Sequence, residues 1–238
     1  MRQLALPFVE TTEFSPADFL DSPANAEARC WLARPAEWPG GRLALWGEAG
    51  VGKSHLLHIW ARRVGAVVVT GPSLAAPTTS LTTALALDDA DLAPAEATLL
   101  HLLNAAAEAG RTLLMAGRAP PSRWKVRLPD LASRLTATAA VEVGALEGAL
   151  LAVLFARLLS ARQLVLAPAL EAWLLAQLPR HPSALAEAVA RLDRAGLASG
   201  RPVGRRLALV ALDPLLAQEQ AAEDDGSATV SLPQRPLL

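Results

Sequence analysis

The chain has 238 residues, of which 52% are hydrophobic and 19% are charged. These proportions exclude an intrinsically disordered protein and leave enough chain for one ordinary domain or two small ones. The 22 basic and 23 acidic side chains give a formal net charge of -1, which excludes a protein that coats nucleic acid. Cys30 is the one cysteine, so neither an intramolecular disulfide nor a cysteine-rich zinc site can form.

The hydrophobic segments do not predict a membrane span. The longest uncharged run lies between Arg63 and Asp88, and its glycine and proline residues divide it into strand-length pieces. The apolar patch at the amino terminus is shorter than the hydrophobic region of a signal peptide, and Glu10 and Glu13 follow it. We therefore expect a cytoplasmic protein.

In chain order, short apolar segments first alternate with helical patterns. After a helix-containing segment at 16–34, the predicted strands are 42–46, 67–70, 84–87, 112–116 and 141–143, and the helices among them are 53–63 and 94–109. This alternation is typical of a parallel sheet with helices on both faces. We therefore predict an α/β fold for this part of the chain.

Strand patterns stop after Gly144, and helical patterns replace them. The predicted helices are 147–161, 168–178, 183–198 and a short fourth at 203–212. We therefore expect an extended arm at residues 1–12, an α/β base at 13–144 and a small all-helical lid at 145–212. Residues 213–238 are predicted to form a disordered acidic tail.

A phosphate-binding pattern joins the first predicted strand to the helix that follows it. Residues 47–54 read Gly-Glu-Ala-Gly-Val-Gly-Lys-Ser and fit G-x-x-x-x-G-K-[ST] at every fixed position. The glycines let consecutive N–H groups turn towards one anion, and the helix amino terminus adds partial positive charge. We expect Lys53 to reach the β- and γ-phosphates of a nucleotide and Ser54 to hold Mg²⁺. The alternative is a glycine-rich turn with a chance lysine. The candidate nucleotide-binding residues of this loop are Gly47, Glu48, Ala49, Gly50, Val51, Gly52, Lys53 and Ser54.

Two acidic residues follow the predicted strand at 84–87. Downstream of a phosphate-binding loop, Asp88 would complete the Mg²⁺ site and Asp89 would polarise an attacking water. Taken alone, an acidic pair at a strand end is usually a solvated turn, and that remains the alternative.

Several further segments carry a resemblance to one family. They are Phe19 and Asn25, His55 in the helix after the loop, residues 117–121, residues 128–135 (Leu-Pro-Asp-Leu-Ala-Ser-Arg-Leu) and residues 192–195 (Leu-Asp-Arg-Ala). With the loop, they resemble the AAA+ nucleotidases close to the bacterial replication initiator DnaA, and more narrowly the DnaA-related Hda regulators. The resemblance covers about residues 1–212. It implies an AAA+ base and lid, and binding of ADP or ATP with help from Phe19, Asn25 and His55.

The resemblance also implies that Arg134 is an arginine finger. In Hda-like proteins the implied neighbour is DnaA, so the guanidinium would stabilise the γ-phosphate of ATP in DnaA's own site during hydrolysis. The alternative is a surface arginine paired with Asp130, four residues earlier on the same helix. The two interpretations, an arginine finger and an ion pair with Asp130, are compatible, since such a pair could orient the finger.

The amino-terminal residues 3–8 read Gln-Leu-Ala-Leu-Pro-Phe and resemble the short peptide by which bacterial proteins dock onto the DNA-polymerase sliding clamp. Gln3 can hydrogen-bond backbone at a pocket edge, and Pro7 limits the entropy lost on docking. The side chains that would fill an apolar groove are Leu4, Leu6 and Phe8. The alternative is a hydrophobic amino terminus that packs on its own domain.

Two departures from the family's pattern bear on catalysis. Arg118 stands where the family's sensor 1 usually has an acidic or other polar residue, and Ser183 stands at the place of the sensor 2 arginine. Arg180 is the nearest substitute for that arginine. Both departures suit a nucleotide-binding regulator with little ATPase activity of its own.

Three functions remain open. The first is a clamp-tethered regulator that makes DnaA hydrolyse its ATP and so negatively regulates replication initiation. The second is an autonomous ATPase of helicase-loader or clamp-loader type, and the third is a scaffold that links DnaA-like partners to the clamp. The basic cluster of Arg201, Arg205 and Arg206 is typical of a solvated face, so we expect DNA contact only through the clamp. A homodimer or a higher AAA+ oligomer is compatible with each function.

Overall fold

The computed structural model describes residues 19–74 and 83–226, with side chains described as far as Leu215. These residues form two compact units, the first ending at Leu150 and the second beginning at Leu151. In the described ranges, no helix has the length and apolar character needed to cross a membrane. The predicted clamp-binding segment, residues 3–8, lies outside the described residues.

A parallel sheet lies at the centre of the first unit. Its five strands are β1 (Arg42–Trp46), β2 (Val67–Thr70), β3 (Leu85–Asp88), β4 (Leu113–Gly117) and β5 (Ala139–Glu142). Their order is β2-β3-β4-β1-β5, and all four pairings are parallel. The predicted parallel α/β fold is therefore confirmed. Strand β1, which leads into the candidate site, lies between β4 and β5.

Helices cover both faces of this sheet. They are α1 (Pro23–Ala33), α2 (Lys53–Val64), α3 (Glu96–Glu108) and α4 (Pro129–Thr136). Successive strand residues point to opposite faces. Leu43 and Leu45 therefore pack with α1 and α2 in one core, whereas Ala44 packs with α3 and α4 in the other. The first core also holds Trp38 and Trp60, whose rings are stacked 5.2 Å apart.

The fifth strand begins two residues earlier than predicted. Ala139 and Ala140 pair with Leu43 and Ala44 of β1, although alanine has little intrinsic preference for strands. Pairing with the buried strand β1 makes Ala139 and Ala140 extended. A search for β-branched residues in the sequence does not detect such a pairing.

The second unit is helical. Its helices are α5, which starts just before the boundary (Gly148–Ala161), α6 (Pro168–Gln177), α7 (Pro182–Ser199) and α8 (Arg205–Gly226). Proline occupies the first position of both α6 and α7, where its missing N–H leaves no helical bond unmade. Helix α6 therefore begins at Pro168 as predicted, whereas α7 begins at Pro182, one residue earlier than predicted.

The last helix corrects the sequence-based prediction of a short helix followed by a disordered tail from residue 213. The helix continues through the predicted tail as far as Gly226. Pro214 lies inside it and removes one backbone donor, but residues 215–222 are leucine, alanine, glutamine and glutamate, which favour helices.

Candidate nucleotide site

The loop between β1 and α2 has the backbone of a phosphate-binding loop. Gly47, Gly50 and Gly52 have φ values of 150°, 80° and 106°, in the region that favours glycine. Gly47 is confined as well, because a Cβ there would overlap the carbonyl oxygen of Val143. The N–H of Val143 donates to the carbonyl of Trp46 at 2.8 Å, which holds the end of β5 against the start of the loop. The first turn of the loop therefore requires glycine.

The side chain of Lys53 is folded back into the loop. It is 9% exposed, and its Nζ donates to the carbonyl oxygens of Gly47 at 2.8 Å and Glu48 at 2.6 Å. Burial lowers the pKa of Lys53, against the opposing effect of nearby carboxylates, of which Asp91 acts most strongly. The ammonium is desolvated, and its hydrogen-bond acceptors are neutral carbonyls. Negatively charged phosphate oxygens would be stronger acceptors for it.

The first turn of α2 brings two other predicted residues to the loop. Ser54 and His55 are both half-buried there. The ring of Phe19 packs edge-on against His55, with centroids 5.3 Å apart, and its Cε2 lies 3.6 Å from where a Cβ on Gly52 would stand. The structure therefore brings Phe19, His55 and the last loop glycine together, although Phe19 precedes the others by more than thirty positions.

Asn25 has its hydrogen bonds within the turn that precedes α1. Its Oδ1 accepts the N–H of Ser22 at 3.1 Å, and its Nδ2 donates to the carbonyl of Leu20 at 2.9 Å. The side chain is buried and holds the segment that carries Phe19. The observed contacts therefore give Asn25 a structural role, while its contact with a nucleotide stays a prediction.

The two acids of the second motif lie at the carboxyl end of β3. Asp88 is its last residue, and its Oδ1 accepts the N–H of Asp89 at 3.1 Å. Asp89 adopts a left-handed conformation, with φ 48° and ψ 43°, which is uncommon outside glycine. Burial, together with the charges of Asp88 and Asp91, raises the pKa of Asp89. A carboxylate of raised pKa is a stronger base towards water than an ordinary aspartate.

Asp91 belongs to the same site, and the sequence analysis did not single it out. Its Oδ2 accepts the backbone N–H of Arg118 at 2.8 Å, which ties the turn after β3 to the end of β4. Its Oδ1 is buried with no hydrogen-bond partner among the described residues. The third acid in Asp-Asp-Ala-Asp was the available signal. Arg118 lies close enough to affect the pKa of both Lys53 and Asp89.

Some of these residues fit a magnesium ion that is shared with a nucleotide. No group of three or more histidine, cysteine or acidic side chains in the described ranges could hold a metal by themselves. Mg²⁺ in phosphate-transfer sites usually has one or two protein ligands, and phosphate and water supply the rest. Ser54 and Asp88 satisfy that lower requirement in chemical type, and their roles stay predictions.

Arg134 lies at the opposite end of the sheet from the loop. It is in the last turn of α4, which leads into β5. The first residue of β5, Ala139, pairs with Leu43 near the start of β1, whereas the loop follows the end of β1. A five-residue strand separates its two ends by about 13–16 Å. No ion pair of the described residues joins Arg134 to Asp130, so the helix pair considered from the sequence is not formed.

The carboxylate of Glu96 fixes the approach to α4. It accepts the backbone N–H of Arg127, with both oxygens 2.9 Å away, and that of Leu128 at 2.8 Å. Glu96 is in the first turn of α3, so one carboxylate ties two helices together. No local sequence pattern predicts this contact, which spans about thirty residues of chain.

The residues Arg180 and Ser183, predicted to belong to the lid, lie in the second unit. Arg180 is exposed in the turn before α7. The next residue, His181, caps that helix: its Nδ1 accepts the N–H of Ala184 at 3.2 Å and lies 2.9 Å from the hydroxyl of Ser183. Ser183 is therefore part of a helix cap, and a sensor role for Arg180 stays a prediction.

No protein-family model matches the chain, and no curated protein matches it. Solved structures do. Domain III of the Thermotoga maritima replication initiation protein DnaA has a TM-score of 0.69 at 15% identity and covers 86% of this chain and 98% of its own. AMPPCP-bound DnaA from Aquifex aeolicus has a TM-score of 0.61 at 15% identity, with coverage of 89% and 71%. The Thermotoga maritima RuvB Holliday junction branch migration motor has a TM-score of 0.57 at 17% identity, with coverage of 79% and 68%. The chain therefore has the AAA+ P-loop α/β fold seen in DnaA domain III and RuvB.

Proposed function

We propose that this chain is an Hda-like AAA+ regulator that binds the sliding clamp and stimulates hydrolysis of the ATP bound to DnaA. It supplies Arg134 in trans and thereby ends the initiation-competent state of DnaA, in the bacterial cytoplasm. The observation that carries the proposal is the separation of Arg134 from the chain's own phosphate-binding loop by the length of β1. A guanidinium placed there is suited to a nucleotide in a neighbouring subunit.

Nucleotide binding by the chain itself is supported by the loop. Its positive-φ glycines allow consecutive backbone N–H groups to turn towards one anion, and Lys53 donates to two carbonyl oxygens that a phosphate can replace. One DnaA with this fold was solved with AMPPCP. We assign ADP or ATP with Mg²⁺ as the ligand, in a regulatory rather than a catalytic role.

The finger acts through charge. In the transition state for hydrolysis, negative charge spreads over the γ-phosphoryl oxygens, and an adjacent guanidinium stabilises it. In GTPases such a residue contributes on the order of 10³–10⁵ in rate. Glu96 supports this role, because it fixes the backbone that leads into α4 and so limits where Arg134 can be.

The clamp tether rests on the sequence of residues 3–8. Leu4, Leu6 and Phe8 provide the apolar contacts and Gln3 the polar one. A tether raises the local concentration of the regulator around clamps that are loaded on DNA. The regulator then contacts DNA only through the clamp, and it acts only after the clamp has been loaded on DNA during replication.

An autonomous ATPase is the second candidate, and one observation favours it. Asp88, Asp89 and Lys53 lie together, and the raised pKa of Asp89 suits a base that activates water. Arg118 places a cation close to this group, at the position where the family's sensor 1 usually has an acidic or other polar residue. This departure counts against an autonomous ATPase.

The test is single-turnover hydrolysis of ATP preloaded on cognate DnaA, with DNA-loaded clamp and Mg-ADP present. The arms are wild type, Arg134→Ala, deletion of residues 3–8, and Arg127→Ala. Arg127 is exposed just before α4 and uses only its backbone N–H in the contact with Glu96, so its side chain is a matched control.

We expect wild type and Arg127→Ala to stimulate hydrolysis and Arg134→Ala to lose the effect. The deletion should lose it only when the regulator is dilute, because tethering acts through local concentration. Full stimulation by Arg134→Ala would leave the scaffold as the better account. Steady ATP turnover by the chain alone would favour the autonomous ATPase.

A further inference from the structure

A second arginine lies beside Arg134 at the same end of the sheet. Arg42 is the first residue of β1, and the next residue, Leu43, pairs with Ala139 of β5. Thr138 directly precedes Ala139, and its hydroxyl donates to the carbonyl of Arg134 at 2.9 Å. Strand register and this hydrogen bond therefore bring the start of β1 next to the last turn of α4.

Arg42 is cationic and poorly satisfied in this position. Its Nε and Nη1 are buried and have no hydrogen-bond partner among the described residues. Its guanidinium also packs on the turn before β1, since a Cβ on Gly40 would lie 3.4 Å from its Nη2. None of the ion pairs of the described residues includes Arg42 or Arg134. Buried donors and a buried charge without partners are both unfavourable, and an anion that reaches the remaining nitrogen, Nη2, would offset part of that cost.

The two guanidinium groups act on one another. Burial lowers the pKa of Arg42, and the charge of Arg134 lowers it further. Like charges at close range favour a conformation in which the more mobile one is directed away from the other. Because Arg42 is held at a strand end, its charge disfavours conformations in which Arg134 turns towards it.

We infer that Arg42 is a positioning residue for Arg134, and that the two together form a site for a polyphosphate presented by a neighbouring subunit. Guanidinium groups match phosphate oxygens in geometry, and an anion of several charges neutralises two of them at once. The inference rests on the proposed function for the source of the polyphosphate, the nucleotide of the partner. The paired site itself can be tested on the isolated chain.

The first experiment measures binding of inorganic tripolyphosphate to the full chain by titration calorimetry. The background is Lys53→Ala, which removes the lysine of the chain's own loop. The variants are Arg42→Gln, Arg42→Lys and Arg134→Gln, with Arg157→Gln as the control of equal charge, since Arg157 is exposed in the second unit. We expect Arg42→Gln and Arg134→Gln each to weaken binding by about tenfold or more, as for loss of a charge-assisted contact. Arg42→Lys should retain most of it.

The outcomes separate clearly. Equal affinity for Arg42→Gln and Arg157→Gln would overturn the paired site. Equal losses for Arg42→Gln and Arg42→Lys would overturn the positioning role, because lysine retains the charge that directs Arg134 and attracts the anion. If Arg42→Gln does not fold, Arg42→Met, which keeps the apolar stem without the charge, replaces it in the comparison with Arg157→Gln.

The second experiment links the site to DnaA. In the single-turnover assay, Arg42→Gln should lower the stimulated rate about tenfold and Arg42→Lys much less. The salt dependence of stimulation should weaken in Arg42→Gln, because one interacting charge is gone. A loss with Arg134→Ala but none with Arg42→Gln would overturn this inference and leave the proposed function intact. If both variants stimulate DnaA fully while tripolyphosphate binding still requires both arginines, the proposed function is overturned and the paired site stands.

Discussion

The carbonyl oxygen of Val143, at the end of β5, occupies the space that a side chain on Gly47 would need. Strand β5 thereby sets the shape of a loop that lies almost a hundred residues earlier in the chain. The contact joins the end of the strand after α4 to the loop that would hold the chain's nucleotide. It also makes the loop sensitive to a single methyl group.

Replacing Gly47 with alanine should therefore disrupt the loop. We expect Gly47→Ala to lower the free energy of unfolding by roughly 1–3 kcal/mol and to abolish detectable binding of Mg-ATP. Thermal unfolding and calorimetric titration measure the two effects. Gly148→Ala is the control, because a Cβ there meets nothing within 4 Å. Wild-type affinity in Gly47→Ala would show that the loop is not the nucleotide site.

Removal of the Lys53 charge should separate binding from folding. Lys53→Met keeps most of the apolar stem and removes an ammonium whose pKa burial lowers. We expect stability in urea to change little, because the loss of a desolvated charge offsets the loss of the two hydrogen bonds to Gly47 and Glu48. Affinity for Mg-ATP should fall by about 100-fold or more, since the lysine contacts the β- and γ-phosphates in such loops. Unchanged affinity would contradict the assignment.

Asp91 should matter for the fold as an acceptor and for the site as a charge. Asp91→Ala leaves the exposed N–H of Arg118 to water, and we expect a loss of about 0.5–1.5 kcal/mol in urea unfolding. Asp91→Asn keeps an acceptor and should lose less. Both variants remove the strongest carboxylate effect on Lys53, so both should lower the pKa of Lys53 further. Equal stability of the two variants would contradict the hydrogen-bond account.

The cap of α7 should make stability depend on pH. Burial lowers the pKa of His181, and its Nδ1 must be unprotonated to accept the N–H of Ala184. Below the unfolded pKa of about 6.5, the unfolded state binds more protons at this site than the folded state does. The contribution of the cap is therefore present above that pH and is lost as the pH falls towards the folded pKa.

His181→Asn supplies an acceptor that does not titrate. We expect the difference in unfolding free energy between this variant and wild type to shift in favour of the variant as pH falls from about 8 to about 5. His101→Asn, at an exposed position on α3, is the control. A difference that stays constant with pH would show that His181 does not titrate on unfolding.

Local patterns were enough to predict the loop, the strands and the alternation that defines the sheet. The glycines of residues 47–54 have positive φ values that favour glycine, so the motif is enough to predict the backbone conformation of the loop. Asp91, Glu96 and Arg42 were not found, because each acts on residues distant in sequence. The contact from Asp91 to Arg118 spans 27 residues, and that from Glu96 to Arg127 spans 31. Arg42 meets Arg134 only through the pairing of β1 with β5.

The most direct test of the central claim asks which protein's ATP is hydrolysed. DnaA is loaded with γ-labelled ATP and this chain with unlabelled ADP, and in a second reaction the chain carries the labelled ATP and DnaA carries ADP. DNA-loaded clamp is present in both, and each is run with wild type and Arg134→Ala. We predict fast release of labelled phosphate only when DnaA carries the label, and only with Arg134 in place. Release from the label on this chain, independent of Arg134, would contradict a finger that acts in trans.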